Sequence, residues 1–126
     1  MILVDTSVWV DHLRTGNKRL TGLLSAGAVL THPFVIGELA LGDLRQRMRV
    51  LNAMADLPHA AIATDAEALH LIERHALFGR GVGYLDIHLL AAVTLTPGAT
   101  LLTHDKRLHA VALQMTLAPP VLLRPD

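Results

Sequence analysis

Ile2-Leu3-Val4-Asp5-Thr6-Ser7-Val8-Trp9-Val10 sets an apolar run against one acid and two hydroxyl residues. Ile2-Leu3-Val4 is continuous and largely β-branched, which predicts a strand buried on both faces. Asp5-Thr6-Ser7 offers an N-cap, so a helix is expected through about Leu13. Working outward, Thr15-Gly16-Asn17 breaks that helix, and Leu20, Leu23 and Leu24 resume helical spacing. Residues 28–31 predict a second strand. Pro33 starts a helix running to Gly42-Asp43, and another spans Leu44 to about Met54. Residues 59–63 suit a short extended piece. Thr64-Asp65-Ala66-Glu67 is a capping box for a helix carrying Leu69, Ile72, Arg74 and Leu77, closed by Gly79. Gly81-Val82-Gly83 leads into a helix from Tyr84 to about Leu95, ended by Pro97-Gly98. Residues 100–103 predict a strand, Asp105 caps a short helix, and Val121-Leu122-Leu123 suits a last strand. Strands that alternate with helices and have apolar cores predict an α/β fold, a parallel sheet covered by helices on both faces. No repeat or linker interrupts it, and one domain over residues 1–126 is expected.

Composition agrees. The 126 residues are 52% hydrophobic and 17% charged, with eleven Lys and Arg against eleven Asp and Glu. Such a chain buries roughly two-thirds of its unfolded surface. The absence of cysteine excludes thiol catalysis, iron–sulfur clusters and Cys-based zinc sites. Zero net charge excludes a polycation that coats nucleic acid. A mean hydropathy of +0.42 raises the question of a membrane span. The long stretches without Asp, Glu, Lys or Arg, 20–37 and 87–104, are broken by Gly22, Gly27, His32 and Pro33, and by His88, Thr94, Thr96 and Pro97-Gly98. Neither predicts a span. No basic segment precedes the apolar start, and Asp5 interrupts it, so a soluble cytoplasmic protein with no membrane association is expected.

Four acids are out of place. Asp5 lies between Ile2-Leu3-Val4 and Val8-Trp9-Val10, and Glu38 is the sole charge in residues 33–42. Asp86 is the sole formal charge between Arg80 and Asp105, and Asp105 follows the apolar Leu101-Leu102-Thr103. Buried carboxylates need a cation, hydrogen bonds or a cleft. An oxygen-rich cluster suits hard Mg²⁺ or Mn²⁺. Asp5 and Asp105 end predicted strands and Asp86 lies in the first turn of a helix, so all three fall at the carboxyl edge of the sheet. Glu38, one turn into the segment after strand two, can reach it. Local roles compete: Asp105 as an N-cap, Asp86 in the field of its helix, Asp5 in an Asx-turn. Glu38, mid-helix and among apolar residues, has no such role.

At these acids the sequence resembles PIN-domain ribonucleases, particularly VapC toxins of bacterial toxin–antitoxin pairs. The resemblance is carried by residues 1–9, by Gly37-Glu38-Leu39-Ala40-Leu41-Gly42, by residues 81–92, and by Leu101-Leu102-Thr103-His104-Asp105-Lys106-Arg107-Leu108. In the fourth motif Arg before the acid and Phe at the end are commoner than His104 and Leu108. The match runs in order through nearly the whole chain. It implies a three-layer α/β/α sandwich with a central parallel sheet, and a Mg²⁺- or Mn²⁺-dependent endoribonuclease. It also implies a homodimer and a cognate antitoxin. On this resemblance Asp5 and Asp86 are direct metal ligands, Asp105 completes the site directly or through water, and Glu38 ligates a second ion or serves as base. Thr6, Ser7 and Thr103 hydrogen-bond the carboxylates or the phosphate, or cap local turns.

RNA binding would draw on local cations. Arg45 and Arg49 are expected on one helix face, Arg14, Lys18 and Arg19 form a second group, and Arg80, Lys106 and Arg107 lie nearer the acids. With one Trp, one Tyr and two Phe, stacking platforms are scarce, which favours a structured RNA read by shape and backbone. His88 and His104 are the histidines expected to line the cleft. Leu20-Leu23-Leu24, Leu39-Leu41-Leu44 and Met48-Leu51-Met54 are either core or exposed stripes for a dimer seam and an antitoxin helix. The alternatives are a catalytically silent PIN-fold module that binds RNA or protein, and an aspartyl-phosphate phosphatase or receiver-type domain. The first predicts lost acids, yet all four are present. The second wants an Asp two residues after Asp5, where Ser7 stands, or an acidic neighbour to Asp5.

Overall fold

The computed structural model describes residues 1–119. Strands β1 (Ile2–Val4), β2 (Val29–Leu30) and β3 (Thr100–Leu102) form a parallel sheet in the order β2-β1-β3. Ile2 pairs with Val29 and Thr100, Leu3 with Leu30 and Leu101, and Val4 with Leu102. Leu3 and Val4 point to opposite faces of the sheet, and both are 0% exposed, so helices cover both faces. That is the three-layer α/β/α arrangement expected from the apolar strand runs.

Among the described residues the helices are α1 (Thr6–Thr15), α2 (Lys18–Ser25), α3 (Pro33–Ala40), α4 (Arg47–Ala55), α5 (Asp65–His75), α6 (Tyr84–Leu95) and α7 (Lys106–Gln114). Their starts follow the sequence signals. Asn17 accepts the Leu20 N–H, and Thr64 and Glu67 close the expected capping box at α5. Buried His32 caps α3 by accepting the Phe34 N–H. Its burial, with His88 and His59 nearby, lowers its pKa to about 4 and keeps it neutral. Helix α6 is buried all round over residues 87–93 and packs between α5 and β3, as an apolar helix must.

Several elements differ from expectation. The helix expected from Leu44 starts at Arg47, because Gln46 adopts a left-handed φ of 51° that no α-helix continues through. Arg45 therefore lies in the preceding turn and shares no helix face with Arg49. Helix α5 ends at His75: Ala76, at φ 51°, takes the left-handed position, and the Leu77 N–H returns to the Ile72 carbonyl. Gly79 belongs to the next turn. Residues 59–63 make one bridge, Thr31 to His59. The strand expected at Val121-Leu122-Leu123 lies outside the described residues. Leu20 is core, with Leu23 and Leu24 packed against it, whereas Leu41 and Met48 are exposed. Among the described residues no helix is long and apolar enough to cross a membrane.

The strand order decides where chemistry can gather. The chain passes from β1 to β2, then crosses back over β1 to β3, so its winding reverses at β1. In parallel sheets such a switch point opens a crevice at the carboxyl ends of the strands. Here the crevice lies beyond Val4 and Leu102, and the Asp5 N–H donates to the Leu102 carbonyl at 2.9 Å.

Candidate active site

The four acids arrive from four segments. Asp5 ends β1 and is 6% exposed. Its Oδ2 accepts the hydroxyls of Ser7 at 2.8 Å and Thr103 at 2.7 Å, while Oδ1 accepts no hydrogen bond among the described residues. Glu38 projects from α3, and its Oε1 accepts the Thr6 hydroxyl at 2.7 Å, tying α3 to the first turn of α1. Asp86 stands in the first turn of α6, bonded to the Gly83 backbone. Asp105 follows β3 and caps α7, its Oδ1 accepting the N–H groups of Arg107 at 2.9 Å and Leu108 at 3.0 Å. The capping role of Asp105 is thus real, and it occupies one carboxylate oxygen.

Electrostatics tie the four together. Burial raises the Asp86 carboxyl to about 6, and repulsion from Asp5, Asp105 and Glu38 adds to it, against a lowering bond from Gly83. The three other charges are therefore close enough to penalise a fourth. Relief requires a proton or a cation.

The donor chemistry fits a hard divalent ion: every candidate ligand is a carboxylate oxygen, and Asp5 keeps Oδ1 outside its hydroxyl network. Among the described residues no three His, Cys, Asp or Glu side chains form a ready-made cage.

Thr6, Ser7 and Thr103 all fall in the network. Ser7 and Thr103 hydroxyls lie 3.4 Å apart; Ser7 also accepts the His104 N–H and Thr103 the Asp105 N–H, both at 3.0 Å. Thr103 therefore orients two acids at once, Asp5 by donating and Asp105 by accepting. Thr103→Val keeps the shape and removes both bonds. Since such supporting contacts are worth about 10- to 100-fold, the catalytic rate of the site is expected to fall by about that factor. Wild-type rates in Thr103→Val would remove Thr103 from the site.

The histidines divide. His104 is exposed and contributes only its backbone N–H. His88 is 4% exposed and packs edge-on against Phe34 and Tyr84, so it is core and does not line the cleft. Its Nε2 lies 3.0 Å from Asp65 Oδ1, which also accepts the Tyr84 hydroxyl. These bonds, the Tyr84 one foremost, lower the Asp65 pKa. They clamp the start of α5 to the first turns of α6, where Asp86 stands. Sequence reading gave Asp65 only a place in a capping box; its partners in α6 carry no local signal.

Of the cations, Arg45 lines a groove of about 450 Å³ beside Glu38, together with Val10, Leu13, Leu39, Leu44 and Val50. Arg49 and Lys106 are exposed, and Arg80 donates to Gln114 Oε1 at 2.7 Å. Arg107 lies against Gly81.

Residues 2–113 match the family described as PIN domain. The chain is also 48% identical over 118 residues to proteins named Ribonuclease VapC32 from two strains of Mycobacterium tuberculosis, covering 94% of this chain and 95% of each relative.

Proposed function

The chain belongs to the PIN-domain family, and from that premise we propose that it is a Mg²⁺- or Mn²⁺-dependent endoribonuclease, the toxin of a VapBC-type pair held in check by a cognate antitoxin. The observation that supports the proposal is that Asp5, Asp86 and Asp105 stand at the carboxyl edge of the sheet, with Glu38 tied to α1, near enough for the other three charges to disfavour ionisation of Asp86. The relatives named as ribonucleases support the substrate class.

Asp5 and Asp86 are the direct metal ligands in this reading, with Asp105 completing the set through the oxygen that its capping bonds leave. A divalent ion held there supplies charge relief on the phosphate and a more acidic water. The chain's own residues do the rest. Ser7 and Thr103 fix the Asp5 carboxylate, the Asp65 clamp fixes the start of α6, and Glu38, oriented by Thr6, takes a proton from the attacking water.

The groove between α1, α3 and the turn before α4 takes in Glu38, is lined mainly by apolar side chains, and also includes Arg14, Asp43 and Arg45. It suits an amphipathic antitoxin helix laid beside the acids. Exposed Leu69 on α5 and Leu95 on α6 are available for contact in a homodimer. The protein would act in the cytoplasm, where its RNA substrate lies.

Purified, partner-free protein is expected to cut total RNA into discrete products with Mg²⁺ or Mn²⁺, and to stop when EDTA is added. Folded protein that leaves the RNA intact under both ions refutes the proposal.

A further inference from the structure

Gly81 is a glycine for two reasons at once. Its φ of +76° lies in the left-handed region, and a Cβ built there would stand 2.7 Å from Nη1, 3.0 Å from Cδ and 3.2 Å from Cζ of Arg107. The Arg107 side chain thus occupies the space that a side chain at 81 would fill. Two residues on, Gly83 caps α6 and bonds Asp86. At its other end, the Arg107 N–H is bound to Asp105. Arg107, in the turn of α7 that Asp105 caps, therefore reaches back to the loop before α6, whose first turn carries Asp86.

A cation so placed would ordinarily pair with one of those acids. Arg107 makes no ion pair and no side-chain hydrogen bond among the described residues, in contrast to Arg80, whose guanidinium is bonded to Gln114. Arg107 is exposed, and its place beside Gly81 leaves its guanidinium donors available. A planar guanidinium matches two oxygens of a phosphate. The chain has no net charge to draw a polyanion, so attraction has to come from cations at the cleft itself.

We propose that Arg107, cradled on Gly81, is a phosphate-binding residue of the cleft that takes a non-bridging oxygen of the RNA strand. The assignment rests on the ribonuclease reading above. Gly81, with no side chain of its own, leaves the space that Arg107 occupies.

The test is steady-state cleavage of a fluorescein-labelled RNA taken from a cut site mapped in the total-RNA digest, over a range of salt concentrations. Arg107→Ala is expected to raise KM about tenfold or more, to change kcat less than threefold, and to lower the slope of log affinity against log salt by about 0.7, one phosphate contact on a single strand. Arg107→Lys keeps the salt slope and recovers part of the KM. Arg74→Ala, a charge-matched change in the last turn of α5, leaves KM and slope as they were. Unchanged KM and slope in Arg107→Ala would overturn the assignment, as would its loss of kcat alone. Wild-type protein that cuts no RNA refutes the ribonuclease reading and this inference with it, whereas a cutting wild type beside an unaffected Arg107→Ala refutes the inference only.

Discussion

Asp5→Asn is expected to lose RNA cleavage by about a thousandfold or more while keeping its fold. The Asp5 Oδ2 accepts two hydroxyls, and an amide oxygen in its place accepts the same two. The amide nitrogen then replaces Oδ1, so a donor stands where the site needs an acceptor for a cation. Catalytic electrostatic contacts of this kind are worth about 10² to 10³ each, and a direct ligand more. Asp5→Ala is a poorer probe, because it leaves the Ser7 and Thr103 hydroxyls in a buried site without their acceptor, at about 1–3 kcal/mol. Initial rates with Mn²⁺, beside thermal melts of both variants, decide the matter. Cleavage by Asp5→Asn within tenfold of wild type would mean that the buried acid is structural.

Asp86→Asn is expected to abolish cleavage and yet stabilise the metal-free protein at neutral pH. In the folded chain Asp86 titrates near 6, against 3.8 when unperturbed, chiefly through burial and then through Asp5, Asp105 and Glu38. The folded state therefore holds the proton more tightly than the unfolded state. Stability from this group is full below about pH 3.8, declines as the pH rises through about 6, and is gone by pH 8. Asn never ionises and can still accept the Gly83 backbone bond. The variant should match wild type near pH 4 and exceed it at pH 8 by on the order of 1–2 kcal/mol, which is several degrees in a chain of this size. Saturating Mg²⁺ or Mn²⁺ should reverse the order, since a ligand at a hundred times its Kd adds about 2.7 kcal/mol to the state that binds it. Melts at pH 4 and pH 8, with and without metal, test all of this. Lower stability of the variant at pH 8 without metal would refute the repulsion argument, and an equal metal response would remove Asp86 from the ligand set.

These expectations draw unequally on sequence. The oddity of Asp5, Glu38, Asp86 and Asp105 is legible because each interrupts or ends an apolar run. Thr6, Ser7 and Thr103 are legible as neighbours of those acids, but their pairings are not. Thr6 meets Glu38 across 32 positions and Thr103 meets Asp5 across 98. The Asp65 clamp is hidden for the same reason, its partners Tyr84 and His88 standing 19 and 23 positions away. His88 lies in the core and not in the expected cleft, because nearness to Asp86 along the chain says nothing about which side of α6 a residue occupies.

What the sequence determined alone is what neighbours within a few residues decide. Continuous β-branched runs made β1 a strand buried on both faces, Thr64 and Glu67 opened α5, and Pro97-Gly98 closed α6. These are short-range choices of dihedral angle and capping, which a linear reading captures. Left-handed turns at Gln46 and Ala76 lay beyond it, because a non-glycine residue adopts that conformation only under the packing of its surroundings. The tertiary structure alone decided that β3 lies beside β1, which brings Thr103 onto Asp5 and sets Asp86 within the field of three other acids. Sheet order and burial are long-range outcomes of covering both faces of one small sheet, and the shift at Asp86 exists only after that burial is complete.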